Sequence, residues 1–356
     1  RHLLLRGASS ANRRIVFDSV QPKTNEDKDR TWRRWCGFCN TAGILDPFLL
    51  SLSEHERELL LRAFLCTYRT AKWTQSGKLL ATDQKALAGS TLRAAASNLA
   101  SSFRDSLQPS PLHFKNSSRL FPSITALLKA IDQVDNPPNR QRAITPRFLR
   151  YLHRLSSSLR LSDPVKPCVL DHAVDIIIGG FLFATRPCEV VLTKVPGRTK
   201  TLEMRDLVFR DPRGRVTPHH SQNLLDAAFI TVTWRNQKNG LRMDSRSQRQ
   251  TLDPILCPVR RFGRVIHRIL ISVPNATPTT LICTSGAEPS RPPTHINSDY
   301  TLHLLRSTCA LVGGKTTFGF HPHAIGNRSI RSGAAMALFL KDHSTAKIMI
   351  LGRWSS

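Results

Sequence analysis

The sequence predicts a mainly α protein with a small antiparallel β-sheet, laid out as two domains. Apolar residues recur at helical spacing through the first third of the chain and again near its end. One passage, Ala228 to Trp234, alternates instead, setting Ile230, Val232 and Trp234 against Thr231 and Thr233, the period of a half-buried strand. Between them, Asn136-Pro137-Pro138-Asn139 interrupts the chain, since each proline restrains its own backbone and that of the residue before it. The domain boundary belongs there, dividing 1–137 from 138–356.

In the first domain, Trp32, Trp35 and Cys39 fall at i, i+3 and i+7, one face of a helix. A second helix is expected over Glu54 to Tyr68, with Leu59, Leu60, Ala63, Phe64 and Tyr68 on its apolar side. A third runs from Thr91 to Phe103, with Ser90 as N-cap and Leu92, Ala95, Ala96 and Leu99 facing inward. The second domain opens with helical text at Thr145–Leu159 and Cys168–Thr185, then reads as strand over Leu202–Phe209 and Ala228–Trp234. Asn236-Gln237-Lys238-Asn239-Gly240 has turn composition, so a β-hairpin is expected with Lys238 near its tip. Helices resume at Pro258 and Thr301, and the last covers Ser329 to Leu340 with Ile330, Ala334, Ala337 and Leu338 buried.

Charge narrows the partners. The 356 residues hold 52 Lys+Arg against 25 Asp+Glu, a net of +27, which calls for an anionic partner, above all a nucleic acid. Up to residue 138 there are 20 basic and 12 acidic side chains, and from 139 onward 32 and 13, so both domains are basic and the second more so. Two basic domains on a short linker suggest a clamp around a duplex. Aromatics make up only 7% and no RRM-like aromatic motif is present, which disfavours RNA.

The most apolar run, Ile176 to Ala184, is far shorter than the ~20 residues of a spanning helix. The block Arg1-His2-Leu3-Leu4-Leu5-Arg6 is too brief for a signal peptide. Eight cysteines spread over this length do not form a disulfide scaffold. Cys36-Gly37-Phe38-Cys39 has redox spacing, but without a second pair it reads as a packed helical face. An intracellular location is expected, the nucleus if the host is eukaryotic.

Three clusters bear chemistry. In Ala184-Thr185-Arg186-Pro187-Cys188-Glu189, an arginine follows an apolar helix and needs an anion, either Glu189 as an internal ion pair or a phosphate ligand. Lys238 sits in the hairpin turn. In Ile325 to Ala337, Arg328 and Arg331 stand three apart at the start of a helix of small residues, where free N–H groups and the helix dipole favour phosphate. The chain closes with Leu351-Gly352-Arg353-Trp354-Ser355-Ser356.

In this order, Arg…Glu, a hairpin Lys, Arg-x-x-Arg before a small-residue helix and Leu-Gly-Arg-Trp resemble the tyrosine recombinases (phage-integrase-like), over nearly the whole chain. The stretch Ile325 to Ser356 is most similar to recombinases of eukaryotic mobile elements of the DIRS-like and Crypton-like kinds. The resemblance implies a helical, SAM-like core-binding domain over 1–137 and an α+β catalytic domain over 138–356. It implies double-stranded DNA as partner, self-association into a tetrameric synapse, and no metal or other cofactor. Arg186 and Arg331 would match the two catalytic arginines that hold the scissile phosphate. Lys238 would be the general acid at the departing 5′ oxygen. Glu189 would orient its neighbours. Arg353 would match the second His/Trp position, with Trp354 as the other holder of that role. A tyrosine would attack phosphorus to give a 3′-phosphotyrosyl link.

Two departures are visible. Arg328 replaces the family's His, and a guanidinium that stays charged in a protein binds phosphate but relays no proton. The nucleophile is expected about nine residues after Arg353, but the sequence stops at Ser356, and the only tyrosines, Tyr68, Tyr151 and Tyr300, read as structural. The chain therefore reads as a fragment, inactive in strand cleavage by itself. The alternatives are a non-catalytic DNA-binding remnant of such a recombinase and, further off, a type IB topoisomerase-like enzyme.

Overall fold

A computed structural model describes residues 22–354 apart from 82–84, 107, 109, 114–119, 136–139, 163–166, 195–198, 238–241 and 287–291. The Pro137-Pro138 interruption and the amino-terminal block fall outside the described residues, as does Lys238. The chain divides into two compact units, Arg1–Pro138 and Asn139–Ser356. Its architecture is mainly α with small antiparallel sheets.

In the first unit, α1 (Pro22–Thr41) buries Trp35 and Cys39, and Trp35 donates its ring N–H to the Pro47 carbonyl at 2.8 Å. Burial raises the thiol pKa of Cys36, and pushes that of Cys39 up to about 12, so both sulfurs rest as packed thiols. Helix α2 (Glu54–Thr70) starts at a capping box between Ser53 and Glu56. Its buried face is Leu61, Phe64, Leu65 and Tyr68, whereas Leu59 and Ala63 are exposed. The inward stripe is thus turned from the one expected, because the i, i+3, i+4, i+7 set beginning at Leu61 gathers the larger side chains. A short antiparallel pair, β1 (Lys72–Trp73) and β2 (Leu79–Ala81), follows.

Helix α3 (Gly89–Asp105) begins before Ser90, which is an exposed helical residue and not the cap. The carboxylate of Asp135 takes the N-cap's place, accepting the Gly89 N–H at 2.5 Å while pairing with Arg69 at 2.6 Å. Asp135 ends α4 (Pro122–Val134), a helix whose buried residues are Ile124, Leu128 and Ile131. A side-chain cap supplied from 46 residues away leaves no local signature.

In the second unit, α5 (Pro146–Ser162) and α6 (Pro167–Leu182) lead into the one-turn helix α7 (Pro187–Val190). The apolar run in α6 packs on α8 (Pro258–Ser272), and a Cβ at Gly179 would sit 2.9 Å from the Phe262 ring, so glycine permits that approach. A four-stranded antiparallel sheet has the order β4-β3-β5-β6, with β3 Leu207–Arg210, β4 Val216–Thr217, β5 Phe229–Asn236 and β6 Arg242–Arg249. The expected strand over Leu202–Phe209 is shorter at its start. Asp206 accepts the Glu203 N–H at 2.8 Å and tightens Met204–Asp206 into a 3₁₀ turn. Alternation in β5 holds, since Ile230, Val232 and Trp234 are buried while Thr231 and Thr233 bond Ser247 and Ser245 across the pair.

Beyond β7 (Thr284–Ser285) and β8 (Thr294–His295), α9 (Ser298–Leu311) is capped by Asn297, and α10 (Gly314–Phe318) is short. Two helices close the unit, α11 (Ser329–Phe339) and α12 (Thr345–Gly352). In α11, a Cβ at Gly333 would lie 2.1 Å from the Ile144 carbonyl oxygen, so the helix packs directly on backbone. No helix among the described residues is long and apolar enough to cross a membrane.

Candidate active site

Helix α6 ends in a turn that aims Arg186. Ala184 takes φ 47°, and the backbone N–H and hydroxyl of Thr185 both donate to the Gly180 carbonyl, at 2.8 and 3.1 Å. Pro187, with its fixed φ and no N–H to lose, opens α7 immediately. One helical turn on, the buried Glu189 carboxylate reaches back. Its Oε2 accepts the Arg186 backbone N–H at 2.8 Å, and its Oε1 accepts Arg186 Nη1 at 2.9 Å.

The same carboxylate holds Arg353, whose Nη2 lies 2.5 Å from Glu189 Oε2. Arg353 follows α12 with φ 54°, and its guanidinium lies flat over the Trp234 ring at 3.5 Å. Gln237, just past the end of β5, joins the two arginines: its Oε1 accepts Arg186 Nη1 at 3.1 Å and Arg353 Nε at 3.2 Å. Its amide donates in turn to Asp244 Oδ2 at 3.1 Å, and Asp244 also pairs with Arg246.

Arg331, in the first turn of α11, completes the cluster. Its Nη2 donates to the Gly352 carbonyl, and its guanidinium sits 4.4 Å above the Trp354 ring. Glycine is needed at 352, because a Cβ there would fall 1.7 Å from that ring. The Nε of Arg331 is buried and has no hydrogen-bond partner among the described residues.

Electrostatically the cluster is short of anions. Three guanidinium groups, Arg186, Arg331 and Arg353, surround one carboxylate, Glu189, and Asp244 is already engaged by Arg246. Burial, with Arg186 close by, brings Arg331 down to about 10 against the pull of Glu189. Burial likewise brings Arg353 down to about 10, with Glu189 opposing and Arg186 adding to the fall. Both stay protonated at neutral pH. A site with surplus, partly desolvated positive charge and forked donors is suited to one phosphodiester. Among the three, Arg186 keeps 18% of its side chain exposed, Arg331 is buried at 9% exposure and the Arg353 side chain is wholly buried, so Arg186 is the most accessible and Arg353 the least.

The structure thus brings together Arg186, Glu189, Arg331, Arg353 and Trp354 from three separate stretches of the sequence. Both readings left open for Arg186 have support here, since the ion pair to Glu189 exists and positive charge remains in excess. Arg328 is exposed immediately before α11, its backbone N–H donating to Gln141 at 3.2 Å, and none of its hydrogen bonds among the described residues joins it to Glu189. His321 and His323 stack on each other at 5.3 Å in an exposed turn. The tyrosines are occupied by packing: Tyr68 in the first unit's core, Tyr151 edge-on to Phe318, and Tyr300 against the sheet's core.

Sequence reasoning missed Gln237 and Asp244. The strand period turns Trp234 inward, and nothing in the sequence ties it to the site. Gln237 stands next to Lys238 in the chain, which is the one signal available. Nothing local marks Asp244, whose place opposite Trp234 is set by strand register.

No family model matches the chain, and no curated protein matches it. Among solved structures it is similar to the integrase of transposon Tn1549 in complex with circular intermediate DNA, at 13% identity and a TM-score of 0.40, over 76% of this chain and 73% of that one. A likeness that distant carries no weight for function.

Proposed function

We propose that this chain binds double-stranded DNA and that its second unit is a tyrosine-recombinase catalytic domain, its first a core-binding domain. The affinity we assign is with recombinases of eukaryotic mobile elements, where Gly352, Arg353 and Trp354 would each have a part. One observation supports the reading above the rest: the buried Glu189 carboxylate ties Arg186 to Arg353, and with Arg331 close by the cluster keeps positive charge in excess.

In this reading Arg186 and Arg331 grip the two non-bridging oxygens of the scissile phosphate, each by a forked pair of N–H groups. As charge builds on those oxygens in the transition state, preset donors in a partly desolvated site stabilise it more than water would. Arg353 acts as a positioning residue: wholly buried, it holds Glu189, which holds Arg186. Trp354 supports Arg331 from below. Lys238, following Gln237, donates the proton to the departing 5′ oxygen. The attacking tyrosine comes from outside these residues, and the phosphotyrosyl bond replaces the phosphodiester without ATP or a metal.

The test is a covalent-adduct trap on a nicked duplex, using the product of the whole reading frame. A protein–DNA adduct lost in Arg186→Ala and Arg331→Ala supports a recombinase. Tight duplex binding without an adduct identifies instead a DNA-binding protein that has no strand chemistry. Plasmid relaxation without paired sites would point to topoisomerase-like action.

A further inference from the structure

Away from the residues around Glu189, α8 carries Arg261, Arg264 and Arg268 at i, i+3 and i+7, one face of the helix. That face meets His153 and Ser156 of α5 and Asp171 and Asp175 of α6 around a cavity of about 250 Å³. Asp175 is buried between two guanidiniums, with Oδ1 2.5 Å from Arg261 Nη1 and Oδ2 2.5 Å from Arg268 Nη2. Asp171 accepts from the Ser156 hydroxyl at 3.1 Å.

Two donors remain unspent. Arg264 is half-buried and makes no hydrogen bond or ion pair among the described residues. Arg268 Nη1 is buried and has no hydrogen-bond partner among the described residues either. His153 adds a third. Arg261 Nη1 donates to its Nδ1 at 3.5 Å, which leaves Nε2 as the protonated nitrogen. Burial, then Arg261, lowers its pKa, so the ring stays neutral and offers an N–H. A metal cation is a poor occupant, because three guanidiniums face two carboxylates and Asp175 is already saturated.

We propose that this cavity binds a phosphate-class oxyanion, with Arg264 and Arg268 as its principal donors. The group is either a phosphate of bound DNA distinct from the one held near Glu189, or a free small phosphate compound. The proposal is independent of the recombinase reading.

Arg264→Gln is the informative variant, since no partner is orphaned by it; Arg268→Gln would leave Asp175 half-paired. Inorganic pyrophosphate is titrated by thermal shift into the full chain carrying Arg331→Met, which weakens anion binding at the other cluster. DNA affinity is measured against salt in parallel. Saturable stabilisation by pyrophosphate, weakened about tenfold by Arg264→Gln and partly kept by Arg264→Lys, identifies a free small phosphate if the DNA salt slope is unchanged. A DNA slope flattened by about 0.9, one phosphate contact, identifies the DNA backbone as the source. If neither the pyrophosphate response nor the slope depends on Arg264, the proposal is wrong.

Discussion

Arg353 Nη2 lies 2.5 Å from Glu189 Oε2 with both side chains wholly buried, a pair separated by 164 positions in the chain. Glu189 Oε1 meanwhile takes Arg186. One carboxylate therefore joins Arg186, just past α6, to Arg353, just past α12, and sets where the Arg186 guanidinium stands.

Glu189→Gln keeps the shape and removes the charge. Arg186 and Arg353 would then share no buried anion, and breaking such a pair typically costs about 3–5 kcal/mol. Urea denaturation is expected to show a loss of that order. A variant within about 1 kcal/mol of the parent would mean that the carboxylate does not hold the cluster.

Arg331 behaves oppositely. Its pKa is depressed to about 10, so folding disfavours its charge at every pH below that value, and the penalty fades as pH rises from about 10 toward 12.5. At neutral pH the penalty is present in full. Arg331→Met should therefore match or exceed the parent's Tm while losing duplex affinity about tenfold, one charge-assisted contact. A large fall in Tm would make Arg331 a structural residue.

Lys238 is assigned to proton donation at the leaving oxygen. Lys238→Ala in the cleavage-competent protein should slow strand cleavage about 10²- to 10⁴-fold. A substrate with sulfur at the bridging 5′ position, whose thiolate leaves without a proton, should restore the rate. No restoration would mean that Lys238 serves another purpose.

Duplex binding should be strongly salt-dependent. With several phosphate contacts, log Kobs is expected to fall with log salt at about −0.9 per contact. A nearly flat line would turn the +27 surplus toward some other partner.

His172 makes stability depend on acid. It is buried, bonds the Ile282 carbonyl at 2.7 Å, and burial drops its pKa to about 4. The unfolded chain takes up this proton near pH 6.5 and the folded chain does not, so stability falls as pH drops from about 6.5 to 4, by up to about 3 kcal/mol. The slope should lessen in His172→Gln, measured by denaturation across that range.

Most helices were legible because burial imposes a period: α8, α9 and α11 begin within three residues of where apolar spacing puts them. The strand period of Ile230, Val232 and Trp234 was equally plain. Less was visible where a distant group does the work of a local one. Ser90 looks like a cap, yet Asp135 does the capping, and Asp206 converts an expected strand start into a 3₁₀ turn.

The sequence alone determined the helical character, the hairpin, the large positive charge and the candidate arginines, since these follow from spacing and count. Only the tertiary structure decided which arginines share an anion and which face outward. It put Arg353 beneath Glu189, left Arg328 in solvent, and brought Gln237 between two guanidiniums. Those outcomes depend on contacts between residues far apart in the chain, made only when Glu189, the end of β5 and the residue after α12 come together, and no local pattern encodes them.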